Sequence, residues 1–163
     1  RLIRAVDLAR QRGATDLALV LVGQRLWSAE AIDEAIREVR GADWISETGY
    51  ISQAVLRALY GAATVVAYPS LYEGFGLPVL EAMACGAPVV ASDATSIPEV
   101  AGDAALLVNP LDVDALAGAI VDVVMNDAVR ARLQAAGPSR AARFTWTECA
   151  AATTRAYRSA LGE

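Results

Sequence analysis

The hydrophobic positions of this chain form short apolar runs that alternate with segments of helical spacing. Continuous apolar runs of this length predict buried strands. They fall at residues 17–23, 43–48, 64–70, 87–93 and 104–110, and the second is the weakest. Strands that are apolar throughout are typical of a parallel sheet covered on both faces.

Amphipathic spacing predicts helices between and after these strands. They are expected at residues 1–13, 28–40, 52–63, 78–85, 112–125, 127–136 and 145–161, with a single turn at 96–102. Ser28 and Ser52 are expected N-caps, and Gly86 is an expected C-terminal glycine. The alternation of strands and helices predicts a doubly wound, Rossmann-like α/β fold with three layers.

Residues 1–163 are expected to form a single domain. The pattern opens on a helix, whereas a βαβ unit starts with its strand. We therefore expect a first strand and its loop to precede Arg1 in the parent protein.

The segment "YEGFGLPVLEAMACG", residues 72–86, is the main candidate for chemistry. It follows a strand, on the side of a parallel sheet where ligands bind. Pro78 is expected as the first helical residue, which leaves the amides of Phe75, Gly76 and Leu77 free at a helix N-terminus. Gly74 and Gly76 permit positive φ and close approach of a ligand. This arrangement predicts a phosphate or diphosphate site.

Two carboxylates flank that site. Glu81, expected about four residues into the helix, leans back toward the N-terminus, and Glu73 precedes the glycines. Beside a diphosphate, each acid is best explained as an acceptor from neutral hydroxyls, and a ribose diol suits Glu81. The alternative is a loop-capping Glu73 and an exposed helix charge at Glu81. The apolar neighbours of Glu81 favour the binding interpretation.

Charge and composition narrow the function classes. The net charge is −5 and no basic cluster occurs, which argues against a nucleic-acid surface. No apolar run reaches the roughly 18 residues of a membrane span, and no signal-peptide pattern occurs at Arg1. The absence of histidine excludes His-based catalysis. Cys85 and Cys149 lie far apart and are expected to be buried or half-buried thiols of a cytoplasmic protein.

Other chemistry-bearing residues have structural explanations. The run "DVD" at residues 112–114 mimics a metal-binding motif, but it opens a long helix, where acids cap the N-terminus. No metal or cofactor is expected. Trp27, Trp44 and Trp146 are expected to pack structurally. Asp93 and Glu99 follow a strand end, and their roles stay open.

Several segments together resemble retaining glycosyltransferases of family 4, which have the GT-B fold. The motif "EGFGLPVLE" is similar to their E-x7-E signature. The segments "TGYISQAVLRALYGAA", "IPEVAGDAALLVNP" and "FTWTECAAATTRAY" occur in the order of the family's C-terminal domain. The resemblance extends over residues 17–157.

The resemblance implies a donor site for a nucleotide sugar. Glu73 would act as the catalytic residue by contacting hydroxyls of the transferred sugar, rather than as a covalent nucleophile. Gly74 and the amides of residues 75–77 would meet the sugar and diphosphate, and Glu81 would bind the ribose. The turn "GYIS" would read the base through Tyr50 and Ile51, and Gly23 would line the cleft.

The resemblance also implies parts that these 163 residues do not contain. The phosphate-binding Arg and Lys of the family precede the position of Arg1, and an N-terminal domain binds the acceptor. That acceptor is expected to be a glycan or a lipid-linked glycan, and membrane-surface association is expected only through those parts. The chain by itself is therefore expected to bind donor weakly and to transfer nothing.

The expected reaction is metal-independent transfer of a hexose with retention. "LVGQRLW" and "TSIPEVAGDAALLVNP" are most similar to bacterial mannosyltransferases that use GDP-mannose, and UDP-sugars stay open. A nicotinamide- or flavin-binding site requires G-x-G-x-x-G, and Val79 stands in place of the third glycine. A non-catalytic nucleotide-sugar-binding module of the same fold remains an alternative.

Overall fold

The computed structural model describes residues 1–25, 29–39 and 41–162, in which strands and helices alternate. The strands are β1 (Leu19–Val22), β2 (Ile45–Gly49), β3 (Val66–Tyr68), β4 (Val89–Ser92) and β5 (Leu106–Val108). The helices are α1 (Leu2–Gln11), α2 (Ala29–Glu38), α3 (Gln53–Ala62), α4 (Leu77–Ala84), α5 (Ile97–Ala101), α6 (Val113–Met125), α7 (Asp127–Ala141) and α8 (Trp146–Leu161). One 3₁₀ turn, Ala42–Trp44, precedes β2. The expected cap Ser28 and the side chain of Trp27 lie outside the described residues.

Local sequence signals place most helix ends. The Ser52 hydroxyl accepts a hydrogen bond from the amide of Val55, as an N-cap does. Asp112 and Thr145 cap α6 and α8 in the same way. Helix α7 is the exception, because it continues five residues past the predicted end at 136, through Gly137. A Cβ at Gly137 would lie 3.1 Å from the backbone oxygen of Met83, so packing of α7 on α4 sustains the helix there.

The strand pairs that the structure describes are parallel, as predicted, but the sheet is in two pieces. β1 pairs with β2, and β4 lies between β3 and β5. The unpaired edges of β1 and β3 both border a cavity of about 800 Å³, whose lining includes Val20 and Val66. The sequence predicted one sheet, and the structure shows a gap between these two strands instead.

The strands are covered on both faces, which confirms the three-layer prediction. Val90 of β4 packs in a cluster with residues of α1 and α6. Its neighbours Val89 and Ala91 pack in a second cluster with residues of α4 and α5. Successive strand residues point to opposite faces, so these two clusters form the two sides of the Rossmann-like fold.

Two expectations about packing are wrong. Trp146 is 83% exposed, because α8 buries none of its residues against the rest of the described chain. Cys149, on the same helix, is exposed as well, whereas Cys85 is half-buried. Trp44 is buried as expected, beneath the guanidinium of Arg10. None of the helices that the structure describes has the length and apolarity that crossing a bilayer requires.

Candidate functional site

The main candidate site lies at the carboxyl end of β3. The chain leaves the strand at Tyr68, forms the loop of residues 69–76, and enters α4 at Leu77. Gly76 is the N-cap, with φ of 101°, so the helix begins one residue earlier than predicted and Pro78 occupies its second position. The left-handed conformation of Gly76 sets the start of the helix. The position of Pro78 in the sequence does not indicate that conformation.

The two glycines of the loop have different roles. Gly76 is buried, and a Cβ added there would lie 2.5 Å from Cδ1 of Ile97. Gly74 does not use the positive φ that a glycine permits, and a Cβ there would have no atom of the described chain within 4 Å. Gly76 therefore lets the loop pack on α5, while Gly74 leaves open space where a ligand can approach the backbone.

The N-terminus of α4 has free donors, as the sequence predicted. The carbonyl of Gly76 accepts the first helical hydrogen bonds, from the amides of Val79 and Leu80. Within the described residues, the amides of 75–77 make no such bond. Free amides and the partial positive charge of a helix N-terminus suit an anion.

Glu73 is fixed at its side chain and at its backbone. The hydroxyl of Tyr68 donates to Oε1 of Glu73 at 2.6 Å. The amide of Glu73 donates to Oγ1 of Thr95 at 3.1 Å, and the hydroxyl of Ser96 donates to the carbonyl of Glu73 at 3.0 Å. The alternative in which Glu73 only caps its own loop does not describe these contacts, because its partners come from β3 and from the turn before α5.

The Tyr68 hydroxyl is a permanent donor in this arrangement. Burial of the ring is the main cause that raises the pKa of Tyr68 well above its ordinary value, and its hydrogen bond to the Glu73 carboxylate raises it further. Both causes disfavour the phenolate. Tyrosine is protonated at neutral pH without any shift, and both causes keep Tyr68 in that form as a donor to Glu73.

Glu81 lies one helical turn past the start of α4 and is exposed. It is the fifth residue of the helix rather than the fourth, because α4 begins at Leu77. Its neighbours include Pro138 and Phe144 on one side, where the three residues border a shallow apolar groove. On the other side Glu81 borders the cavity between β1 and β3 together with Tyr68. The ribose-binding role of Glu81 stays a prediction.

An aromatic contact holds the middle of the loop. The ring of Phe75 meets that of Phe144 edge-on, with 5.8 Å between centroids. Arg140 lies 5.1 Å over the Phe144 ring and donates to the carbonyls of Val100 and Glu99. The glycine loop is thus tied to the ends of α5 and α7.

The residues predicted to read the base lie at the ends of β1 and β2. The amide of Gly23 donates to the carbonyl of Gly49 at 3.0 Å, which places it beside the turn that contains Tyr50 and Ile51. Tyr50 is 81% exposed, whereas Ile51 is half-buried. The structure therefore groups Gly23 with the turn that contains Tyr50 and Ile51. Their contact with a base stays a prediction.

The "DVD" run has the structural role that the sequence predicted. Oδ1 of Asp112 accepts from the amide of Ala115 at 2.9 Å, and Asp114 pairs with Arg12 at 2.6 Å. Asp112 therefore caps α6, and Asp114 forms an ion pair in its first turn.

Sequence reasoning missed Tyr68, Thr95, Ser96 and Phe144. Tyr68 could have been noticed, because it is a residue with a polar hydroxyl at the end of an apolar strand and lies five residues before Glu73. Thr95 and Ser96 follow a strand end, which is where ligand-side residues of a parallel sheet occur. For Phe144 no local pattern predicts the contact with Phe75, because 69 positions (144 − 75) separate them.

The comparison with known proteins decides the family. A family model described as glycosyl transferases group 1 matches residues 1–126. This chain belongs to that family. The recognition of a glycosyltransferase with a Rossmann-like α/β fold of the GT-B type is thereby confirmed.

Relatives and solved structures agree with this assignment. The O-antigen chain mannosyltransferase B of Escherichia coli is 40% identical over 157 residues, which cover 96% of this chain and 41% of the relative. The structure of sucrose-phosphate synthase from Thermosynechococcus elongatus is 31% identical with a TM-score of 0.79, over 98% of this chain and 42% of that one. A structure of Anabaena Alr3699/HepE in complex with UDP and glucose is 25% identical with a TM-score of 0.74, over 86% and 39%. The chain thus spans about two fifths of the length of these proteins.

Proposed function

We propose that this chain is the donor-binding half of a hexosyltransferase that uses a nucleotide sugar. The observation that carries the proposal is the position of Glu73, which is held by hydrogen bonds beside the free N-terminus of α4. In a member of the glycosyl transferases group 1 family, a fixed carboxylate next to an anion-binding helix end suits a sugar linked to a diphosphate.

In the proposed chemistry, backbone amides bind the charged diphosphate and the two carboxylates bind neutral hydroxyls. The amides of residues 75–77 bind the diphosphate, and Gly74 leaves room for it. Glu73 accepts hydrogen bonds from hydroxyls of the transferred sugar, and Glu81 accepts from the ribose. Negative charge develops on the leaving diphosphate during transfer, and preorganised donors at that position stabilise the transition state. This arrangement requires no metal ion.

The base is proposed to lie against Tyr50, Ile51 and Gly23, at the ends of β1 and β2. Similarity to an O-antigen chain mannosyltransferase favours GDP-mannose as the donor. A similar protein has been solved with UDP and glucose, which supports a UDP-sugar as the competing choice.

The rest of the activity is proposed for a longer protein. An N-terminal domain would bind a glycan or lipid-linked acceptor, and transfer would retain the anomeric configuration. The gap between β1 and β3 supports a further proposal, that a strand preceding α1 completes the sheet there. Two unpaired parallel edges that face one apolar cavity present the backbone groups that such a strand would pair.

Calorimetric titration of the chain with GDP, UDP and ADP tests the donor site. We expect saturable binding of at least one nucleotide, with a Kd on the order of millimolar or tighter. Glu81→Ala is expected to weaken that binding about tenfold, as loss of a charged hydrogen-bond acceptor does. Glu34→Ala, which removes an exposed helical glutamate from α2, is the matched control and should leave binding unchanged.

Equal binding by wild type and Glu81→Ala would overturn the ribose assignment, and absence of binding to all three nucleotides would overturn the donor site. A non-catalytic nucleotide-sugar-binding module is the second candidate function. Transfer assays on the longer protein distinguish them: turnover of GDP-mannose or a UDP-hexose supports the transferase, whereas tight binding without turnover of any acceptor supports the module.

A further inference from the structure

Glu73 has an unusual degree of backbone and side-chain restraint for a loop residue. Its carboxylate accepts a hydrogen bond from Tyr68, its amide donates one to Thr95, and its carbonyl accepts one from Ser96. Tyr68 lies at the end of β3, and the other two residues lie in the turn between β4 and α5. The restraint therefore comes from two separate elements that converge on one residue.

Thr95 adopts a conformation that its residue type disfavours. Its φ is 55°, and within the described residues it is the only non-glycine residue with positive φ. A β-branched residue in the left-handed region is strained. Such strain persists where the surrounding contacts fix it, commonly at functional sites. Here the conformation accompanies the hydrogen bond from the Glu73 amide to the Thr95 hydroxyl.

The Tyr68 hydrogen bond distinguishes the two oxygens of the carboxylate. Oε1 of Glu73 accepts the hydrogen bond from the Tyr68 hydroxyl. Among the described residues no donor reaches Oε2, which leaves it available to a ligand. A carboxylate with one oxygen held and one free presents a single acceptor in a fixed direction.

We propose that Tyr68 and Thr95 are positioning residues, which hold Glu73 so that its free oxygen meets a hydroxyl of the donor sugar. This proposal rests on the proposed function, because it assigns Glu73 to the sugar. Tyr68 fixes the direction of the carboxylate, and Thr95 fixes the backbone from which the side chain extends. Neither residue itself contacts the sugar. Their effect is confined to ligands that carry a sugar, and a nucleoside diphosphate without sugar does not depend on them.

The test compares a nucleotide sugar with its nucleoside diphosphate, using GDP-mannose with GDP and UDP-glucose with UDP. For Tyr68→Phe we expect about a tenfold loss of affinity for the nucleotide sugar and no change for the nucleoside diphosphate. In combination with Glu73→Ala, the Phe substitution should add nothing further, because its effect passes through Glu73. Tyr60→Phe is the matched control, since Tyr60 is also a half-buried tyrosine and its hydroxyl makes no contact with Glu73 in the described structure.

Thr95 is tested by two variants that separate its hydroxyl from its shape. Thr95→Ser keeps the hydroxyl and should preserve the preference for the nucleotide sugar over the nucleoside diphosphate. Thr95→Val keeps the shape, removes the hydroxyl and should lose that preference. Circular dichroism and thermal melting show whether each variant is folded, and Thr95→Gly, which also lacks the hydroxyl, keeps the test if Thr95→Val does not fold.

Three results would overturn the positioning role. The first is a Tyr68→Phe variant that binds the nucleotide sugar as tightly as wild type. The second is an equal loss of affinity for both ligands, which indicates general damage to the site. The third is an additive loss in the double variant. Wild type that binds both ligands equally would overturn the contact between Glu73 and the sugar. Failure of the proposed function has a different signature, because wild type would then bind neither ligand.

Discussion

The two pieces of the sheet differ in how completely they are covered. In the β3–β4–β5 piece, β4 is paired on both edges and all four of its residues are buried. In the β1–β2 piece, Val20 and Val22 are 44% and 45% exposed. Partly exposed ion pairs from Arg25 to Glu47 and Asp33 link this piece to α2, and such pairs contribute little stability. The piece that carries Glu73 is therefore the better supported one.

This difference matters for the proposed donor site, because the site draws on both pieces. The sugar and diphosphate part lies on the well-packed piece, around α4. The base part, at Tyr50 and Ile51, lies on the piece with an uncovered edge. We infer that the chain maintains the geometry of the sugar and diphosphate part better than the geometry of the base part.

The largest effect is expected at Gly76, in the well-packed piece. Gly76→Ala should lower the free energy of unfolding by about 2–5 kcal/mol, because it adds a strained φ and forces Ile97 to move. Urea denaturation followed by circular dichroism measures this. Gly74→Ala is the control, with a change of about 0.5 kcal/mol or less, since its Cβ enters open space. Comparable stability of the two variants would contradict the account of the loop.

The stability costs of the same substitution at a valine in each piece compare the two pieces of the sheet directly. Val90→Ala in β4 should cost about 2 kcal/mol, because the side chain is fully buried. Val20→Ala in β1 should cost about 0.5 kcal/mol or less in the 163-residue chain. In a longer protein whose added strand fills the gap, the cost at Val20 should rise toward that at Val90. Equal costs in the short chain would break the comparison, and an unchanged Val20 cost in the longer protein would contradict the proposed strand.

A smaller effect is expected where α7 meets the site loop. Arg140→Ala removes two hydrogen bonds to carbonyls at the end of α5 and the contact with Phe144. Thermal and urea unfolding should show a loss of about 1–2 kcal/mol. Arg132→Ala, on the same helix, loses one exposed hydrogen bond to Asp103 and should cost about 0.5 kcal/mol or less. A larger cost at Arg132 than at Arg140 would contradict the role of the Arg140 contact.

The smallest stability change is expected for Thr95→Gly. Relief of the strained backbone should raise the free energy of unfolding by about 1 kcal/mol. Loss of the hydrogen bond from the Glu73 amide should lower it by about the same amount. The unfolding free energy should therefore stay within about 1 kcal/mol of wild type, while affinity for the nucleotide sugar falls. A variant that is clearly less stable yet binds normally would show that Thr95 serves the fold rather than Glu73.

The sequence predicted the elements whose signals are local. The apolar run at residues 87–93 located β4, and the polar side chains of Ser52 and Asp112 located helix starts, because capping is an interaction within one turn. The glycine at 86 closes α4 as expected, with φ of 74°. Family recognition rested on several such segments in order.

Features that depend on distant contacts were not predictable in this way. The start of α4 shifted by one residue because Gly76 packs on Ile97. The hydrogen bonds that join Glu73 to Thr95 and Ser96 connect the loop after β3 to the turn between β4 and α5, 22 and 23 positions away. The exposure of Trp146 follows from the lack of packing along α8, and the helix-start pattern around it does not reveal that.

The proposed donor site depends above all on binding of the diphosphate of a nucleotide sugar at the N-terminus of α4. The most direct measurement is the change in backbone amide chemical shifts of the ¹⁵N-labelled chain during titration with GDP and UDP. We expect the largest changes for the bound nucleotide at Phe75, Gly76 and Leu77, with smaller ones at Tyr50 and Ile51. Saturable binding with its largest shifts along β1 and β3, and none at residues 75–77, would contradict it.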